Sequence, residues 1–161
     1  MKTNLQAFRN LFDSPPFPDL NPSHSGEFEN EGKQHYLGKT FETFSRDSVV
    51  EFLIKVERLS CLEVASLLPV VLYRTLHHAD DERICSLFRE LKYVGEIPDC
   101  RSKMADVFAK MTDDQQNALI DAVSDLITSY AWLDATGEAV YALGKLKEII
   151  FYADGFASIP S

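Results

Sequence analysis

Apolar side chains recur every three or four residues along most of this chain, the spacing that aligns one face of a helix. Leu5, Phe8 and Phe12 do so near the N-terminus. Val49, Val50, Leu53, Ile54 and Val56 follow Ser45 and Asp47, either of which can cap a helix running to about Arg58. Asp80 can cap another, with Ile84, Leu87, Phe88 and Leu91 on one side. After a break at "GEIPD", residues 95 to 99, Met104, Val107, Phe108 and Met111 predict a short helix. Thr112 and Gln115 form a T-x-x-Q capping box that opens a helix to about Tyr130, with Leu119, Val123, Leu126, Ile127 and Tyr130 as its buried stripe. The last helix, from about Ala135 to Tyr152, is expected to bury Val140, Leu143, Leu146, Ile149 and Ile150. Gly144 inside it suggests a close helix crossing.

The most apolar stretch is "LSCLEVASLLPVVLYRTL", residues 59 to 76. A membrane-spanning helix needs about 20 predominantly apolar residues. Here Ser60, Glu63, Ser66 and Arg74 interrupt the run, and it ends at His77 and His78. Ser60 and Glu63 instead form an S-x-x-E capping box, which starts a helix at Cys61. Its apolar residues cover nearly the whole circumference, the pattern of a central helix packed on all sides. Pro69 falls deep inside, where it removes a backbone hydrogen bond and meets the carbonyl of Ala65 at a cost of about 3 kcal/mol unless the chain bends. The expectation is a kinked core helix, or one helix ending near Leu67 and another starting at Pro69.

Four prolines within residues 15 to 22 rule out a helix interior there, and residues 27 to 44 fit either a short strand pair or a helical turn around Gly38. The chain therefore predicts one mainly α domain over residues 1–161. It comprises an N-terminal helix at 1–12, an irregular Pro-rich connector at 13–46, and a helical core at 47–152, making a compact bundle of six or seven helices around the kinked one. At 161 residues such a domain can bury a real core.

Composition narrows the function classes. Hydrophobic residues make up 45% of the chain, a globular value, and the net charge is −9. Nucleic-acid binders present clustered Lys and Arg, so direct nucleic-acid binding is not expected. Cys61, Cys85 and Cys100 form no C-x-x-C pair and read as small buried hydrophobes in a reducing compartment. The first residues lack the apolar run of a signal peptide, and a cytoplasmic location is expected.

Little in the sequence suggests catalysis. "HHADDE", residues 77 to 82, has metal-ligand residue types, but adjacent His77 and His78 diverge by about 100° on a helix. Histidines at one helix end and acids at the next helix start also suit the two dipoles. No G-x-S-x-G elbow, G-x-G-x-x-G or P-loop occurs. The chain is not expected to be an enzyme or to carry a metal or cofactor. A small metal-dependent hydrolase built on His77, His78 and Asp81 is one alternative. A regulatory or scaffold module that uses the Pro69 kink or the Pro-rich connector is another.

The charge pattern is more informative: residues 93 to 161 carry −6 of the −9. Asp114, Asp121 and Asp125 fall at i, i+7 and i+11 of one helix, opposite its buried stripe, with Asp106, Asp113 and Asp134 nearby. Like charges on one face do not favour a helix, whereas such a face attracts a basic partner. These six residues form the candidate partner-binding site.

A resemblance accompanies this reading. "LQAF" before prolines, "YLGKTF", "LSCLEVASLLPVVLYRTL" and "FAKMTDDQQNALIDAVSDL" together resemble a family of small, acidic bacterial proteins. These are similar in character to the immunity proteins of polymorphic toxin systems. The shared residues, roughly 5 to 128, are structural, and no catalytic residue comes with them. The resemblance implies a protein that blocks a basic toxin domain by stoichiometric occlusion.

Overall fold

A computed structural model describes residues 2–12 and 40–157. All regular structure among them is helical, in agreement with the expected mainly α class. Helix α1 spans Leu5–Phe12 and α2 spans Arg46–Lys55, followed by a 3-10 turn at Val56–Arg58. Then come α3 (Cys61–Leu76), α4 (Glu82–Phe88), α5 (Leu91–Glu96), α6 (Pro98–Ala109), α7 (Asp113–Tyr130), α8 (Glu138–Phe151) and α9 (Ala153–Ala157). The helices outnumber the six or seven expected, because Leu91–Glu96 and Ala153–Ala157 are short helices of their own. The Pro-rich segment, and most of the stretch expected to be strand or turn, lie outside the described residues.

The helix starts follow local side-chain chemistry. At α3 the Ser60 hydroxyl accepts from the Glu63 amide, and the Glu63 carboxylate accepts from the Ser60 amide. Thr112 and Gln115 close the same reciprocal box on α7. Ser45 and Ser48 form a third at α2. Asp81, rather than the expected Asp80, caps α4, accepting from the amides of Arg83 and Ile84. Pro98 opens α6 at its first position, where a missing N–H costs nothing.

Helix α3 runs unbroken through Pro69, which disposes of the two-helix alternative. Val64, Ala65, Leu67, Leu68, Val70, Val71 and Leu72 are all at most 1% exposed. Each fully buried Val or Leu contributes about 1.5–3 kcal/mol, so this packing outweighs the roughly 3 kcal/mol that a mid-helix proline costs. Pro69 itself is buried within this packing. Around α3 pack α6 and α7, while α7 and α8 form the most extensive helix pair, with α5 against α8 and α9 against α6.

Two expectations are corrected here. Cys61 and Cys100 are not reduced thiols: they form a disulfide joining the first turns of α3 and α6, and only Cys85 remains a thiol, buried as expected. The reading of Cys61 and Cys100 as small buried thiols is therefore replaced by a covalent link between the two helices. Gly144 marks no close crossing, since a Cβ there would meet nothing within 4 Å. The tight glycine is Gly95 of α5, where a Cβ would lie 3.3 Å from the Lys145 Cβ of α8.

Among the described residues, no helix is long and apolar enough to cross a membrane.

Candidate functional site

The outer face of α7 begins at its capping box. Asp113 and Asp114 occupy the first turn, where a carboxylate also complements the helix dipole. Asp121 lies two turns further on the same side, where no dipole argument applies. All three are exposed, and none makes a hydrogen bond or ion pair among the described residues. No Lys or Arg occurs between Met111 and Gly144 to neutralise them. Opposite them, Leu119, Val123, Leu126 and Tyr130 are fully buried, as the periodicity predicts, and Ile127 is half-buried.

Asp125 does not belong to this face, which corrects its expected role. It is 8% exposed. Its carboxylate accepts from the backbone amides of Lys2 at 2.9 Å and Thr3 at 2.7 Å, and from the Thr3 hydroxyl. Burial alone would push the carboxyl up, but these donors outweigh it and hold its pKa below the ordinary value of 3.8. At the other end of α1, Gln115 donates to the Leu11 carbonyl at 2.9 Å. Asp125 and Gln115 thus pin the N-terminal helix along the flank of α7, with Phe8 buried between them in the core.

The two remaining rim residues are partly engaged. Asp106 is exposed and pairs with Lys110 one turn along α6, at 3.1 Å. Asp134 is half-buried in the α7–α8 turn, where it accepts from the Val140 amide at 2.9 Å and so holds the start of α8. Asp113, Asp114 and Asp121 therefore remain as the unpaired acids of the expected six.

The metal-site alternative does not assemble. A His77 ring nitrogen lies 2.9 Å from the Tyr73 carbonyl, and the ring packs edge-on against Tyr73. Asp81 accepts from the Arg46 guanidinium at 2.6 Å besides capping α4. Burial pushes its carboxyl up, yet Arg46 and the two amides outweigh this and hold its pKa below 3.8. No group of three or more potential metal ligands converges among the described residues.

Two shallow grooves flank the α7–α8 turn. One, of about 300 Å³, is lined by Lys92, Glu96, Thr136, Gly137, Glu138 and Tyr141. The other, of about 210 Å³, lies between α4 and the turn and reaches Cys85 and Asp134. Burial pushes the Cys85 thiol up to about 11, aided by the nearby carboxylates of Asp134 and Glu82, so it stays a neutral thiol rather than a nucleophile.

Periodicity missed Trp132, the most exposed large apolar side chain among the described residues, which stands 91% exposed on the α7–α8 turn. It is the sole tryptophan of the chain. A single exposed aromatic leaves no periodic signal, so only the packing could identify it. No protein-family model, no curated protein and no solved structure matches this chain.

Proposed function

We propose that this protein is a stoichiometric binding protein, an immunity-type inhibitor that occludes a basic toxin domain with the acidic outer face of α7. The observation that carries this reading is the set Asp113, Asp114 and Asp121, three exposed carboxylates that make no ion pair among the described residues and lie in a 34-residue stretch of sequence free of Lys and Arg. Asp121 in particular serves neither a cap nor an ion pair among the described residues, so their packing does not account for it. Such a face raises the association rate of a basic partner in a salt-dependent way. The reading assigns the chain no covalent chemistry and no cofactor, and its partner is a protein rather than a nucleic acid. A cytoplasmic site of action is not retained, because the Cys61–Cys100 bond suits an oxidising compartment.

The test is affinity for a basic toxin domain encoded by the producing cell, captured at low salt and then purified. The double variant Asp114→Lys/Asp121→Lys should bind about tenfold or more weakly, mostly through slower association. Its stability should stay within about 0.5 kcal/mol of the parent, as for other exposed substitutions. Unchanged affinity would remove the contact from α7.

A further inference from the structure

Trp132 lies one helical turn beyond Thr128, and Thr128 is seven residues after Asp121, which is itself seven after Asp114. All four are exposed. The Ala131 amide still donates to the Ile127 carbonyl, so the helical path of α7 carries on to the edge of the turn. The acidic face and the indole therefore share one side of the molecule, over roughly 27 Å at 1.5 Å per residue. A partner contact of about 800 Å² has a similar width.

The turn that displays the indole is well fixed. The amides of Leu133 and Asp134 both donate to the Tyr130 carbonyl, at 3.0 and 2.9 Å, and the Gly137 amide donates to the Asp134 carbonyl at 3.3 Å. Gly137 has φ +75°, a left-handed conformation that lets the turn enter α8 without strain. Leu133 packs against the core, while Trp132 makes no ring contact, hydrogen bond or cation contact among the described residues. The fold fixes the backbone beneath the ring and makes no use of the ring itself. Tryptophan is the residue most enriched among interface anchors, and a ring displayed on a fixed turn loses little freedom on binding.

We propose that Trp132 is the anchor of the docking surface and that its indole face takes an arginine guanidinium of a basic protein partner. This rests on the acidic-face reading above. Charge selects the occupant: Asp121 on α7 and the exposed Glu138 at the start of α8 favour a cation and oppose both a nucleic-acid strand and an anionic lipid surface. Guanidinium is favoured over ammonium because it is planar, stacks on an indole and is more weakly hydrated.

The experiment uses deca-arginine and deca-lysine as probes of the full chain at low salt, followed by Trp132 emission and by calorimetry. The parent protein should bind deca-arginine about threefold or more tightly than deca-lysine, with a shift in emission. Trp132→Ala should abolish that preference while keeping salt-sensitive binding of both peptides, and Trp132→Phe should retain part of it. Asp114→Lys/Asp121→Lys should weaken both peptides alike. An arginine preference that survives in Trp132→Ala, or an emission that does not respond, overturns the anchor and leaves the acidic face standing. Absence of salt-sensitive binding by either peptide overturns the acidic face and the anchor together.

Discussion

Two buried polar side chains on α7 illustrate how different the cost of a hydroxyl or carboxylate is when its partners differ. Asp125 is buried with three donors, and those donors tie the chain's start to its last quarter. Tyr130 is fully buried against Phe88, with ring centroids 5.7 Å apart, yet its hydroxyl has no hydrogen-bond partner among the described residues. Burial and the nearby Cys85, Asp81 and Asp80 push this phenol far up, so it stays neutral. A buried hydroxyl without a partner forfeits its hydration, so Tyr130→Phe should be neutral or stabilise by about 1 kcal/mol in urea unfolding. A loss of more than about 1 kcal/mol would mean that the hydroxyl is satisfied after all.

Helices α3 and α6 are joined covalently as well as by packing. The Cys61–Cys100 bond closes a loop of 39 residues, which by the chain-entropy estimate stabilises the fold by about 3–4 kcal/mol. Cys61→Ser/Cys100→Ser should lose that amount in a denaturant titration, and a reductant should have the same effect on the parent protein. If the unfolding midpoint ignores both changes, the bond does not form in the folded protein. The loop it closes contains Pro69 and nearly all of α3, so the disulfide constrains the helix whose interior proline is least favourable for helix formation.

For the molecule as a whole, Asp81 and Asp125 make acid the natural denaturant. Both hold folded-state pKa values below the ordinary 3.8, so the folded state binds fewer protons than the unfolded chain as pH falls through that region. Their stabilisation is complete well above 3.8 and is lost as pH drops through 3.8 towards their folded values. The unfolding free energy should therefore fall with pH below about 4.5, and Asp125→Asn should flatten that slope. A slope identical in parent and variant would exclude Asp125 as a source. Each carboxylate links segments distant in sequence, α2 to α4 through Arg46–Asp81 and the N-terminal arm to α7 through Asp125. Acid should thus loosen the packing between elements before it affects any single helix.

The helical class, the capping boxes at Ser60–Glu63 and Thr112–Gln115, the all-round apolar character of α3 and the buried stripe of α7 were all legible in the sequence. Each depends on residues within one or two turns of each other, and that is the range over which a periodic pattern speaks. Asp114, Asp121 and Asp113 were legible as an outward face for the same reason. Asp125 was not distinguishable from them, because its position on the helix wheel is only about 40° from Asp121. What turned it inward is an arm 122 residues away in sequence. The Cys61–Cys100 pairing and the exposure of Trp132 likewise depend on which elements meet in space and which surface they leave uncovered. Local chemistry along the chain determined the helical class and the capped helix starts; the tertiary structure alone decided which polar side chains the helix packing consumed and which it left exposed.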